Sequence, residues 1–146
     1  MTLQKTDSTS AVAWNLLLIC WFIAACATLG SLFMSEVMGF EPCVLCWFQR
    51  IFIYPLTIIL LIALFPLDTN VVRYALPLAI IGWAFAVYHY LLYSGFIPES
   101  LQPCSETGPS CSDVNLELFG FITIPMMSIL AYSVIIGLLL IVKFRK

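Results

Sequence analysis

Apolar residues gather into four long blocks, at 11–34, 47–67, 74–93 and 119–142, and the polar residues fall mainly between them and at the chain ends. Each block is close to the roughly 20 residues that a helix needs to cross a bilayer. The connections are short, and the inner one around Pro66, Asp68 and Asn70 makes the second and third blocks an antiparallel helical hairpin. The pattern predicts an all-α, integral membrane four-helix bundle, a single four-span domain over 1–146. The first ten residues are polar and read as disordered. Pro55 is expected to kink the second span, and Pro125 to lie one or two turns into the fourth, where neighbouring helices satisfy the carbonyl it frees.

Composition sharpens this reading. With 62% hydrophobic and 10% charged residues, the chain is far from a soluble domain, in which about a quarter of residues carry charge. Six Lys/Arg against eight Asp/Glu leave no basic surface for nucleic acid. Charge also orients the spans. Arg73 and the Lys143, Arg145, Lys146 tail mark the cytoplasmic side, and an even number of spans puts both the N-terminus and the C-terminus there. The opposite side carries Glu36 and Glu41 in one outward-facing loop and Glu99, Glu106, Asp113 and Glu117 in the other. Lys5 followed by an apolar stretch and Ile23-Ala24-Ala25-Cys26 has the outline of a lipoprotein signal, but the apolar run continues to Met34, beyond the 7–15 residues of a signal core.

Four of the six cysteines lie in the outward connections, on the side where disulfides persist. Pro42 holds Glu41 extended, so Cys43-Val44-Leu45-Cys46 should open the second helix. That spacing lets two thiols bridge across a first helical turn, where the dipole favours thiolate. Gly95, Pro98, Pro103, Gly108 and Pro109 make the second connection, with Cys104 and Cys111, read as a mobile loop. Two other readings stay open on these residues alone. The four cysteines form the ligand count of a zinc site, although the oxidising side and the wide Cys104–Cys111 gap oppose it, and no metal is predicted. Two inert disulfides bracing the loops are the other reading.

Arg50 separates these alternatives. It follows Cys46 by four residues, on the same helix face and about one turn deeper, roughly 6 Å into the membrane. Placing an arginine there costs on the order of 1–3 kcal/mol, which a loop brace does not require. Below a redox cysteine it can stabilise thiolate and donate to the carbonyl oxygen of a membrane-soluble acceptor; alone, it also reads as a snorkelling side chain. His89, near the outer end of the third span, reads equally as an interfacial residue or as a second group on one pocket with Arg50. Trp47, Phe48 and Trp83 offer walls for a flat ring or an ordinary aromatic belt. Cys20 and Cys26 point to different faces of the first span and are assigned no chemistry; Gly30, Ser31, Asn15, Thr57 and Thr123 read as helix contacts.

Cys43-Val44-Leu45-Cys46-Trp47-Phe48-Gln49-Arg50, Tyr88-His89-Tyr90, the outer-loop cysteines, and Phe119-Gly120-Phe121 with Ile124-Pro125 resemble the DsbB/BdbC family of membrane thiol:quinone oxidoreductases. The resemblance covers essentially all four spans. It implies an enzyme of the bacterial cytoplasmic membrane that reoxidises a soluble thioredoxin-fold thiol oxidase, DsbA- or BdbD-like, and passes electrons through two cysteine pairs to a quinone, ubiquinone or menaquinone. By position, Cys43 and Cys46 are implied to be the quinone-proximal pair, with Cys46 engaging the ring, Arg50 polarising its carbonyl, and Trp47 and His89 lining the pocket. Cys104 is implied to form the mixed disulfide with the partner and Cys111 to resolve it. The short second loop resembles the BdbC-type branch. A partner dithiol reaches only the outer loop and a lipid-dissolved acceptor only the membrane-level pair, so electrons pass inward by thiol–disulfide exchange. A vitamin K epoxide reductase-like protein is expected to carry its motif in the last span, and a non-catalytic tetraspan protein with braced loops is the reading from outside the enzymes.

Overall fold

The computed structural model describes residues 3–98 and 123–145, with side chains from residue 10 onward. Four helices, α1 (Leu3–Leu32), α2 (Val44–Leu64), α3 (Val72–Tyr93) and α4 (Ile124–Arg145), are each long and apolar enough to cross a membrane. A π-helical turn, Phe33–Val37, extends α1, and a 3₁₀ turn, Thr69–Val71, leads into α3. Neighbours pack in a closed square, α1 on α2, α2 on α3, α3 on α4 and α4 back on α1.

Several boundaries differ from the hydropathy blocks, for local reasons. α1 begins at Leu3, so part of the polar N-terminal stretch is helical. Extending an existing helix adds a hydrogen bond per residue without a new nucleus. α2 starts at Val44 and runs continuously through Pro55. Its end at Leu64 precedes Pro66, and the return to α3 is set by Asp68, whose carboxylate accepts from the Asn70 N–H at 2.9 Å. Because α4 starts at Ile124, Pro125 falls in its first turn, where the missing N–H has no helical partner to lose; the expected deeper position is corrected.

α3 ends in a reciprocal cap. Gly95 adopts φ +74°, the Phe96 N–H donates to the Leu91 carbonyl at 3.1 Å and the Gly95 N–H to that of Leu92 at 3.2 Å. The left-handed position suits glycine, and the paired bonds satisfy carbonyls that the helix end would strand. This fixes the end of α3 shortly after His89.

The core is built on small residues of α3. Ala75, Ala79, Gly82 and Ala86 recur at helical spacing on its inner face, all buried. A Cβ at Gly82 would overlap the Tyr132 ring of α4, so the glycine is required by the close approach. Leu17, Leu56, Leu60, Ile135 and Leu139 fill the rest of the centre. Outside, Ile19, Phe22, Leu29, Ile58, Ile62, Ile81, Leu130 and Val134 are exposed, an apolar exterior suited to lipid contact. Thr57 meets Thr28 across α1 and α2 at 3.0 Å, as expected of a helix contact, whereas Gly30 has nothing packed on it and Asn15 is exposed. Cys20 is buried, donating weakly to the Ile135 carbonyl, and Cys26 is exposed on another face.

Candidate functional site

The extended geometry that Pro42 imposes delivers Cys43 to the N-cap of α2, with φ −66° and ψ 166°, and the Trp47 N–H closes the first turn onto its carbonyl at 3.1 Å. Cys46 therefore sits within that turn. The two sulfurs are 3.2 Å apart, Cys43 buried and Cys46 half-buried. Both sulfurs stand at the N-terminus of α2, the positive end of the helix dipole.

His89 of α3 brings Nε2 to 3.8 Å from Cys43 Sγ, while its Nδ1 lies 3.1 Å from Gln49 Nε2. An amide nitrogen only donates, so in this arrangement Nδ1 accepts, and the ring proton sits on Nε2, aimed at the sulfur. Turning the amide over reverses the pattern: Oε1 accepts from Nδ1–H and Nε2 offers its lone pair to a thiol. The pair is thus compatible with Cys43 in either protonation state. Gln49 is itself tethered, its backbone carbonyl accepting from the Tyr132 hydroxyl at 2.9 Å.

Arg50 is turned about 100° from Gln49 around α2, and its partner lies on α1. It is only 8% exposed. Its Nε donates to Ser31 Oγ at 2.7 Å and its Nη2 to the Ser31 carbonyl at 2.8 Å. Ser31 lies two residues before the π turn, the kind of widened turn that recurs at functional sites. Both acceptors are neutral, so these bonds position the guanidinium without cancelling its charge. The group also stands over the Trp47 ring, 5.4 Å from its centroid, and that ring is 53% exposed. Cys46 shares this face by its spacing of four.

Arg50 and His89, expected as two groups on one pocket, have different partners among the described residues. His89 belongs to Cys43 and Gln49 on the α3 side; Arg50 belongs to Ser31 and Trp47 on the α1 side. Phe48 stacks on Phe85 of α3, centroids 5.0 Å apart, and Phe52 continues the stack at 5.6 Å. Trp83 is elsewhere, donating to Ser133 Oγ of α4 at 3.0 Å, because it and Phe85 occupy opposing faces of α3. Cys104 and Cys111 lie outside the described residues. At the opposite end of the bundle a cavity of about 540 Å³ is lined by Thr69, Asn70, Val72, Arg73, Leu76, Pro77 and Lys143, which gathers two cations far from the thiols.

Gln49, Ser31 and Tyr132 are additions of the structure. An amide inside an apolar span is a signal in itself, because unsatisfied polar groups are expensive there. Ser31 and Tyr132 carry no such mark, since small residues and tyrosines are ordinary in membrane helices.

The family described as "Disulfide bond formation protein DsbB" matches residues 13–142. A "Probable disulfide formation protein" of Metapseudomonas resinovorans is 52% identical over 136 residues, covering 93% of this chain and 94% of that protein. Two proteins of Bacillus subtilis (strain 168), "Disulfide bond formation protein C" and "SPbeta prophage-derived disulfide bond formation protein B", are each 45% identical; the first covers 86% of this chain and 91% of its own length, the second 88% and 87%. No solved structure matches the chain.

Proposed function

The chain belongs to the DsbB family of disulfide bond formation proteins, and from that footing we propose that it is a thiol:quinone oxidoreductase that recharges a soluble thioredoxin-fold thiol oxidase. Membership carries a role in disulfide formation, and the four long apolar helices make the chain a multi-pass membrane protein. The observation that carries the finer reading is a dithiol, sulfurs 3.2 Å apart at a helix N-terminus, with a buried arginine one turn below on the face of Cys46. A structural brace has no use for that arginine.

The residues present suit a quinone. Of the five guanidinium N–H groups of Arg50, Ser31 takes two, which leaves donors for a carbonyl oxygen, and the exposed Trp47 ring offers a flat apolar surface beside them. A bound quinone supplies the sink for two electrons and two protons. Arg50 and Trp47 would hold it, and the helix N-terminus and Arg50 would favour the Cys46 thiolate. On the other side, His89, oriented by Gln49, takes or returns the proton of Cys43 Sγ as the pair opens and closes.

Cys104 and Cys111 are assigned the exchange with the partner, Cys104 forming the mixed disulfide and Cys111 resolving it. Oxidation of the partner dithiol then reduces Cys104–Cys111, which in turn reduces Cys43–Cys46, two electrons at each exchange. The reading places the protein in the bacterial cytoplasmic membrane with both pairs outside. Arg73 and Lys143 at the end away from the thiols support that orientation.

The test uses purified chain in lipid with a reduced thioredoxin-fold dithiol protein. Partner thiols should disappear only when ubiquinone or menaquinone is supplied, with one quinol formed per disulfide. Saturating quinone that leaves the partner reduced would overturn the proposal, and outer-side thiol reagents failing to reach Cys46 in intact cells would overturn the orientation.

A further inference from the structure

Reduction leaves Cys43 and Cys46 as thiols in contact, with the His89 ring against one of them, and the three potential ligand atoms lie within 4.8 Å of one another. We propose that this reduced site binds one thiophilic divalent cation of the zinc or cadmium type, through Cys43 Sγ, Cys46 Sγ and His89 Nε2, and that the bound ion holds the pair out of the disulfide cycle.

The dimensions are close to those required. Tetrahedral zinc with bonds of about 2.3 Å to sulfur and 2.0 Å to nitrogen sets its sulfurs about 3.8 Å apart and each sulfur about 3.5 Å from the nitrogen. The observed separations are 3.2 Å between sulfurs and 3.8 Å from Cys43 Sγ to Nε2. The first differs by about 0.6 Å and the second by about 0.3 Å, and with all three atoms within 4.8 Å of one another a side-chain rotation at the half-buried Cys46 would bring its sulfur into place.

Charge favours the same occupant. Two thiols release two protons on binding, and two thiolates, a neutral imidazole and a divalent ion sum to zero, which avoids leaving net charge at the membrane border. A metal-bound histidine needs an acceptor for its other ring proton, and Gln49 stands 3.1 Å from Nδ1, able to present Oε1 after its amide turns over. Among the described residues the set supplies three ligands, and water or a further donor completes the tetrahedron. The disulfide form has no thiolate to offer, so binding follows redox state. This set needs neither Cys104 nor Cys111 and differs from the four-cysteine centre considered from the sequence.

The ligand geometry stands independently of the quinone reading, whereas the effect on turnover rests on it, and the two are tested separately. Full-length chain carrying Cys104→Ser and Cys111→Ser is reduced with a phosphine, freed of it, and titrated with cadmium while thiolate-to-metal charge-transfer absorbance is followed. One equivalent should saturate the reduced protein, and the oxidised protein should give no signal. Gln49→Leu should weaken binding by about 10- to 100-fold, the range for loss of a ligand's outer partner. His89→Ala should weaken it further, and His89→Asn, which keeps a polar group towards Gln49, should do the same with the helical circular dichroism intact. Absence of the stoichiometric signal, or affinity in both histidine variants equal to that of the unsubstituted His89 chain, would overturn the site. In the second arm, chain with all its cysteines is loaded with one equivalent and stripped of excess ion. Its quinone-dependent oxidation of partner thiols should fall at least tenfold and return on chelation. Full turnover by loaded protein overturns the block, while no turnover by unloaded protein counts against the proposed function and leaves the titration to decide the site.

Discussion

Ser31→Ala removes one of the two bonds that orient Arg50, the Oγ contact at 2.7 Å, and keeps the carbonyl contact at 2.8 Å. A hydrogen bond to a charged group contributes about 1.5–3 kcal/mol, and survival of the second bond puts the loss near the lower figure, about 1.5 kcal/mol. At about 1.4 kcal/mol per decade, that is roughly a tenfold rise in the quinone concentration needed for half-maximal turnover. Quinone-free exchange between partner and chain, followed in a single turnover, should be unchanged, since the substitution leaves both thiols and the contacts of His89 with Cys43 and Gln49 in place. Arg50→Met should weaken quinone use more strongly while the protein stays folded. In the Arg50→Met background, Ser31→Ala should then add little, for a coupling close to the full loss of about 1.5 kcal/mol. An unchanged KM for quinone in Ser31→Ala, or the same tenfold loss with and without Arg50, would refute the positioning role.

Cys43→Ser or Cys46→Ser should abolish quinone reduction, read as loss of quinol formation with reduced partner present. Cys104→Ser should abolish capture of the partner as a mixed disulfide on non-reducing gels. Gly82→Ala should destabilise the bundle by about 1–3 kcal/mol, the usual range for overpacking, seen as a lower unfolding midpoint in detergent. Adding Tyr132→Phe should give no relief, because ring carbons as well as the hydroxyl occupy the space that a Cβ would need.

The bundle was legible because lipid leaves so few options: runs of about 20 apolar residues have only the helix to satisfy their backbone. The start of α2 was legible for a local reason, Pro42 forcing the extended approach that makes Cys43 a cap. Depth was legible as well, Arg50 one turn below Cys46. What sequence spacing could not supply was azimuth across helices. Residues at equal depth need not face each other, and Arg50 and His89 prove to have partners on different neighbours. Phe85, not Trp83, completes the aromatic seam for the same reason. Ser31 and Tyr132 were invisible as site residues because their importance lies in what another helix presents to them.

The first two turns of α2 are held from three directions: from α1 through Ser31, from α3 through His89, and from α4 through the Tyr132 hydroxyl. A segment clamped on every side behaves like a stationary electrode, and travel in the electron relay has to be made by whatever approaches it. Donor preference can then be retuned by grafting a different second connection onto an unaltered scaffold, without reworking the terminal that receives the current.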